Sequence, residues 1–252
     1  MTAAKAPSLS PDQLRAEFTR RRGRWHDDWE AILAFSPPYL AAYLELSAYV
    51  ADRGALSPRL RELIYVATNC SPTHMFERGV RNHAREALEE GATRDELLAV
   101  AAIVSAVGGQ TFVMGAAALA ACIPAGAANC SAEAEQARAD YRALFGELLP
   151  DAEAAITLDA QFYQCWLDFA AAPLQGGVLP AKEAHLIALA AYAQCTQLSR
   201  EGVERQVRAA LAAGASSQEV LDVFRLITSM GIHAMVFALP IINELAPEAA
   251  KA

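Results

Sequence analysis

The sequence lacks the paired cysteines that a disulfide framework, a zinc knuckle or a dithiol redox centre requires. Its cysteines are scattered, odd in number and contain no C-x-x-C: Cys70, Cys122, Cys130, Cys165 and Cys195. Such a set argues against a disulfide-rich secreted protein and fits a reducing compartment. The first residues also lack the apolar core of a signal peptide. We therefore expect a cytoplasmic protein.

A basic surface is missing as well. The formal net charge is −8, and the densest basic run, residues 20–24, is short and is followed by Asp27, Asp28 and Glu30. A nucleic-acid-binding protein needs clustered Lys and Arg to neutralise phosphates. Nucleic acid is therefore not an expected partner.

Alternating Val, Ile and Thr runs are absent too, whereas alanine is abundant and apolar residues make up 54% of the chain. This composition predicts an all-α protein with a large core. The stretch 97–132 carries no charged residue and is long enough to span a bilayer. Because Gly108, Gly109 and Gln110 interrupt it, we interpret it as core or subunit-interface helix, and we expect no membrane partner.

The chain contains an internal repeat at an offset of 123 residues. Identical residues pair along the whole chain, among them Leu63/Leu186, Gly79/Gly202, Arg85/Arg208, Gly91/Gly214 and Gly108/Gly231. A repeat of this length predicts two copies of one helical unit. We place the first unit at residues 1–128 and the second, partly degenerate unit at 129–252, and we expect the copies to pack into one pseudo-symmetric body.

Helix boundaries are marked in both copies. Ser57 precedes Pro58, which is typical of a helix start. Gly91 is followed by the capping box Thr93 to Glu96, and Gly214 is followed by Ser216 to Glu219. Each copy is therefore predicted to contain the same helical hairpin.

One region resembles the carboxymuconolactone decarboxylase family of the alkylhydroperoxidase D-like superfamily. It runs from Leu56-Ser-Pro-Arg-Leu-Arg-Glu62 through Thr73-His-Met-Phe-Glu-Arg-Gly79 to His83-Ala-Arg-Glu-Ala-Leu-Glu-Glu-Gly91 and the capping box after it. The resemblance implies the all-helical alkylhydroperoxidase D-like fold in a tandem arrangement. It also implies a ring assembly, in which fused double units form homotrimers, and a carboxy-lyase activity in aromatic-compound catabolism.

The peroxidase branch of that superfamily uses a C-x-x-C because disulfide exchange needs two adjacent thiols. The corresponding positions are Phe76 and Gly79 in the first copy, and Ser199 and Gly202 in the second. A thiol peroxidase is therefore a disfavoured alternative.

The candidate catalytic residues follow from the motif. The first copy has Glu62, His74 and His83, where the second has His185, Gln197 and Gln206. His233 aligns with Gln110 and is a further candidate, with Gln110 as a possible substrate contact. We predict that His83 acts as a general acid/base oriented by Glu62. Arginine is suited to binding substrate carboxylates, so Arg59, Arg61 and Arg81 are the anchor candidates.

No cofactor is expected, because a carboxymuconolactone can delocalise the electron pair of decarboxylation into its own conjugated carbonyl. No metal is expected either, since His74 and His83 are nine residues apart, whereas ligands on one helix face are three or four apart. Three alternatives to a decarboxylase stay open: an isomerase or hydrolase using the same acid/base pair, a non-catalytic oligomeric binding protein, and the thiol peroxidase.

Overall fold

The computed structural model describes residues 9–124 and 129–246, and this part of the chain contains helices and no strand. The predicted all-α class is confirmed. The helices of the first copy are α1 Pro11–Arg22, α2 Asp27–Phe35, α3 Pro37–Arg53, α4 Pro58–Asn69, α5 Glu77–Glu89, α6 Arg94–Ser105 and α7 Gln110–Cys122. Those of the second are α8 Ala132–Phe145, α9 Pro150–Leu158, α10 Ala160–Gln175, α11 Ala181–Ala193, α12 Arg200–Ala212, α13 Ser217–Thr228 and α14 His233–Leu245.

The two copies repeat each other in local geometry as well as in helix order. A 3-10 turn links α6 to α7 at Ala106–Gly109, and another links α13 to α14 at Ser229–Ile232. Met75 and Leu198, which are equivalent in the repeat, both have left-handed backbones with φ of 48° and 43°. The tandem duplication is therefore visible in the backbone.

The predicted capping devices are formed. Ser57 accepts a hydrogen bond from the Leu60 backbone and starts α4. Thr93 and Glu96 form a reciprocal capping box at the start of α6. Ser216 and Glu219 make the equivalent pair of contacts at α13, at 2.8 and 3.1 Å. Each device satisfies backbone N–H groups that a helix start would leave without partners.

Residues 56–227 form one compact unit, which contains α4 to α12 and most of α13. Within it α4 packs against α5 and α11, and α11 packs against α12. Equivalent side chains meet across the pairing of α4 and α11: the hydroxyl of Thr73 lies 2.8 Å from that of Thr196, and Gln194 donates to Ser71. Because each contact joins equivalent residues, the two copies are related by a local two-fold axis within this unit.

The second compact unit consists of residues 1–55 and 228–252. In its described part α1 and α2 pack on α3, and α14 packs on α2. Phe18, Trp29 and Tyr43 form an aromatic cluster in which Phe18 and Tyr43 are buried; the ring centroids are 4.8 Å apart for Phe18 and Trp29 and 5.4 Å apart for Trp29 and Tyr43.

Neither compact unit corresponds to one copy of the repeat, because each contains helices of both copies. Within residues 56–227, α7 of the first copy packs against α9 of the second. Trp166 of α10 donates to the Ala106 carbonyl at 3.0 Å, and a Cβ at Gly109 would lie 1.7 Å from its ring nitrogen. The predicted boundary after residue 128 falls at residues 125–128, which lie outside the described part of the chain.

Two segments have the length and hydropathy of a membrane span, Arg94–Cys122 and Ser217–Leu245. Each is a pair of helices joined by a 3-10 turn, and 44% and 39% of their most apolar windows are buried within the protein. Core helices of soluble proteins can have the same length and hydropathy, so two such segments are weak evidence for a membrane location.

Candidate functional site

The candidate site is formed by α4 and α5. Helix α4 buries Leu60, Leu63 and Ile64, which leaves Glu62 half-buried beside this apolar stripe. Helix α5 approaches α4 closely at Gly79, where a Cβ would lie 2.1 Å from the Asn69 side-chain oxygen. This glycine allows the side chains of the two helices to meet.

The central contact of the site joins Glu62 and His83. Nδ1 of His83 lies 2.7 Å from Oε2 of Glu62, and the two side chains are 17% and 15% exposed. When Nδ1–H donates a hydrogen bond to the carboxylate, Nε2 is the ring nitrogen left to exchange a proton with a substrate. Both side chains are therefore partly accessible to solvent.

Two further residues touch His83, and the sequence reasoning missed both. The ring of Tyr65 stacks on the His83 ring with centroids 4.5 Å apart, and Oε2 of Glu86 lies 3.8 Å from Nδ1. The sequence spacing could have indicated both residues, because Tyr65 follows Glu62 by one turn of α4 and Glu86 follows His83 by one turn of α5. The face of the His83 ring is thus packed by Tyr65, and its Nδ1 lies near two carboxylates.

The other two histidines among the candidates lie outside α4 and α5. His74 is half-buried in the turn between α4 and α5, 5.8 Å from the Phe76 ring, and burial lowers its pKa below the ordinary value. His233 is the first residue of α14 and belongs to the unit of residues 1–55 and 228–252, whereas the Glu62–His83 pair belongs to the unit of residues 56–227.

The proposed carboxylate anchors have partners within the protein. Arg59 pairs with Glu96 at 2.5 Å and with Glu183. Arg61 donates to the Leu56 carbonyl at 3.0 Å, and the exposed Arg81 pairs with Glu77 at 2.6 Å. For Arg59 or Arg81 to bind a substrate carboxylate, the substrate would have to compete with these acidic residues.

Gln110, the remaining candidate for substrate contact, begins α7 and is 7% exposed. Its side-chain oxygen has no hydrogen-bond partner within residues 9–124 and 129–246.

The second copy keeps the contact but buries it. Nδ1 of His185 lies 2.9 Å from Oε1 of Gln206, with the two residues 8% and 2% exposed. Burial lowers the pKa of His185, although its hydrogen bond to Gln206 opposes the shift. This pair occupies the places of Glu62 and His83 but lacks both the carboxylate and the access to solvent.

One set of side chains has the donor types of a metal site. Single ligand atoms of Glu62, His83 and Glu86 lie within 4.8 Å of one another. Two carboxylates and an imidazole can bind a divalent cation. The same atoms also form a hydrogen-bonded acid/base group, in which Nδ1 of His83 is already engaged by Glu62.

The five free thiols differ in burial and therefore in expected reactivity. Burial raises the pKa of Cys70 to about 11, which disfavours the reactive thiolate, and Cys122, Cys130, Cys165 and Cys195 are exposed free cysteines.

An apolar cavity of about 1010 Å³ lies in the same compact unit but apart from the pair. It is bounded by the start of α7 and by α10, and its lining includes Gly109, Phe112, Trp166 and Phe169 but neither Glu62 nor His83.

These features define an all-helical protein of two repeated units with an alkylhydroperoxidase D-like fold and a histidine–carboxylate pair in its first copy. The chain belongs to the carboxymuconolactone decarboxylase family, whose model matches it twice, at residues 37–122 and 160–244. The two matches cover most of both repeats.

The chain is also similar to a solved structure from Burkholderia xenovorans LB400, a protein described provisionally as a gamma-carboxymuconolactone decarboxylase subunit. The identity is 27%, the TM-score is 0.86, and the match covers 95% of this chain and 98% of that one. Among curated proteins, none matches this chain.

Proposed function

We propose that the chain is a cofactor-independent decarboxylase acting on a small carboxylated lactone or a related ring-cleavage acid of aromatic-compound catabolism. The observation that carries the proposal is the partly exposed contact of 2.7 Å between Nδ1 of His83 and Oε2 of Glu62. The equivalent pair in the second copy is buried and lacks the carboxylate. One active pocket per chain, centred on His83, follows from this difference.

The proposed reaction needs a proton donor and an electron sink. The bond between the ring carbon and the carboxylate breaks, carbon dioxide leaves, and the electron pair moves into the conjugated lactone carbonyl to give a dienolate. His83 then donates a proton from Nε2 to a carbon of the dienolate, while Glu62 accepts a hydrogen bond from Nδ1 and stabilises the charged ring. The substrate is its own electron sink, so no metal or organic cofactor is required.

Substrate binding is assigned to residues around this pair. Arg61 donates to a neutral carbonyl rather than to a carboxylate, so among the candidate arginines it is the one proposed to bind a substrate carboxylate. Arg59 and Arg81 are weaker candidates because acidic side chains already hold them. His74 and Gln110 are proposed as further residues of the pocket.

The test is an assay of carbon dioxide release from carboxylated lactones by purified protein, with and without EDTA. We expect release that survives EDTA and requires His83. If EDTA abolished the release of carbon dioxide and a divalent cation restored it, Glu62 and His83 would be metal ligands rather than an acid/base pair.

The same assay separates the alternatives. An isomerase or hydrolase would consume the lactone acid without releasing carbon dioxide, which product analysis by mass spectrometry detects. A non-catalytic binding protein would bind the acid and leave it unchanged.

We further propose a cytoplasmic location and a homotrimeric assembly, in keeping with the resemblance to fused double units.

A further inference from the structure

The metal-donor set at the candidate site comes from two helices and has the spacing of known metal sites. His83 and Glu86 are three residues apart on α5, so their side chains lie on one face of that helix. Glu62 reaches them from α4. Carboxylate metal sites in helical bundles use a glutamate and a histidine at this spacing, in the opposite order, together with a glutamate from another helix. The spacing argument against a metal compares histidines alone and does not include these glutamates.

The three ligand atoms are close enough together to bind one ion. They lie within 4.8 Å of one another, and Nδ1 of His83 is 2.7 Å from Oε2 of Glu62 and 3.8 Å from Oε2 of Glu86. Two ligands on opposite sides of an ion with bonds of about 2.1 Å are about 4 Å apart. The set therefore has the size of one coordination sphere, and the contact between Nδ1 and Glu62 needs to lengthen by roughly half an ångström when an ion replaces its proton.

The exposure and charge of these side chains suit a divalent cation. Glu62, His83 and Glu86 are 15%, 17% and 27% exposed, so they can shift by this distance and water can complete the coordination sphere. Two carboxylates balance the charge of the ion, and a neutral imidazole is a common ligand of transition metals. The ring of Tyr65, stacked on His83, maintains the plane in which Nδ1 faces the carboxylates.

None of the three ligands is repeated in the second copy. The equivalent positions hold His185, Gln206 and Ala209. Gln206 offers no carboxylate, Ala209 offers no ligand atom, and both are buried. The repeat thus limits this kind of site to one per chain.

We infer that Glu62, His83 and Glu86 bind one divalent transition-metal ion, and that the bound ion inhibits the site. It occupies Nδ1 of His83 and Oε2 of Glu62, the two atoms whose hydrogen bond supports the proposed acid. Metal ligands bind in their deprotonated form, so the ion takes the place of the Nδ1 proton. The ring then has a proton on Nε2 alone and cannot form the imidazolium that donates it. Inhibition rests on the proposed function, whereas metal binding does not.

The binding probe is Mn²⁺, titrated into the full chain after treatment with EDTA and dialysis, and followed by the EPR signal of the free ion. Mn²⁺ prefers carboxylates to thiolates, so the exposed cysteines do not compete for it. We expect one bound ion per chain, which Zn²⁺ should displace because Zn²⁺ binds such ligands more tightly. Glu86→Gln should weaken Mn²⁺ binding by about a hundredfold or more, since the loss of even an outer-shell partner costs about 10–100-fold.

The matched control is Glu90→Gln, which makes the same chemical change at an exposed position at the end of α5 and should leave the affinity for Mn²⁺ unchanged. Crystals of the wild-type protein soaked in Mn²⁺ should give an anomalous peak beside His83, a result that does not depend on the folding of any variant. The inference is overturned if millimolar Mn²⁺ does not bind, if Glu86→Gln binds it as tightly as the wild-type protein, or if the peak lies away from His83.

Carbon dioxide release separates this inference from the proposed function. Mn²⁺ should lower the rate of release in proportion to the occupancy of the site, and EDTA should restore the rate. Bound Mn²⁺ that leaves the rate unchanged or raises it would overturn the inhibition. A protein that binds Mn²⁺ at these residues and releases no carbon dioxide with or without EDTA would confirm the metal site and contradict the decarboxylase.

Discussion

A histidine that donates a proton to a substrate needs an orienting partner and a path to solvent, and the two copies differ in both. His83 has a carboxylate partner and is 17% exposed, whereas His185 has an amide partner and is 8% exposed as a residue. The second copy has His185 in place of Glu62 and Gln206 in place of His83. It therefore lacks the negative charge that would stabilise an imidazolium.

His83→Ala should lower carbon dioxide release by about a hundredfold or more, the usual loss for a general acid, with little change in Tm. Gln206→Ala is the matched substitution in the second copy and should do far less. Steady-state kinetics of the two variants on one lactone acid provide the comparison. Equal, small losses in both would contradict a catalytic role for His83.

Cys70 should be the least reactive thiol of the folded protein. Burial raises its pKa to about 11, so at pH 7.5 its thiolate should be roughly a hundredfold scarcer than that of an ordinary cysteine. Iodoacetamide labelling followed by peptide mass spectrometry should modify exposed Cys165 and Cys195 first. The unfolded protein is the control, in which all the thiols should react alike; preferential labelling of Cys70 in the folded protein would contradict its burial.

His185 should make the protein less stable in mild acid. Burial lowers its pKa in the folded state, so the unfolded chain binds a proton more readily. The stability that the neutral ring contributes is therefore present above the unfolded pKa of about 6.5 and is lost as pH falls through the folded pKa. His185→Gln, which can still pair with Gln206, should reduce the fall in Tm between pH 7.5 and 5.5. An unchanged fall would assign the acid sensitivity to other groups.

At the scale of elements, the close approach of α5 to α4 depends on Gly79. An added Cβ would meet the buried Asn69 side chain at 2.1 Å, so Gly79→Ala should destabilise the protein by about 1–3 kcal/mol. Gly115→Ala is the control, because Gly115 lies within α7 and a Cβ there would meet nothing within 4 Å; it should be neutral or slightly stabilising. Urea unfolding of both variants gives the two free energies, and an equal effect would refute the steric argument.

The helices were the most predictable part of the structure. Ser57, Thr93 and Ser216 mark helix starts through local hydrogen bonds, which is why the sequence predicts them well. The offset of the repeat then predicts the second copy from the first. Stacking of Tyr65 on His83 was not predicted, because it depends on side chains from different helices whose packing no local pattern specifies.

At the scale of the whole molecule, the packing of α7 of the first copy against α9 of the second was also not predicted. A repeat in sequence shows that two units share a structure, but it does not determine whether α7 packs on its own copy or on the other. The aromatic residues of α10 and the small residues near Gly109 fit each other closely, and that fit is visible only in three dimensions.

The assembly of the whole molecule gives the last prediction. Several large apolar side chains of α14 and the segment after α7 are exposed in the single chain: Phe237 at 72%, Ile242 at 55%, Leu245 at 78% and Ile123 at 43%. Apolar surface of this kind is seldom left in water and marks a protein interface. Together with the resemblance to fused double units, it predicts a trimer of the 26.9 kDa chain.

Light scattering after size exclusion should therefore give a mass three times that of the chain. Phe237→Asp should shift the protein towards smaller species while circular dichroism shows the same helix content, because a buried charge at an interface is costly. Leu211→Asp replaces a side chain that is 45% exposed at the end of α12 and should leave the mass unchanged. A wild-type protein that remains a monomer at micromolar concentration would show that this apolar surface is not an interface between copies of the chain.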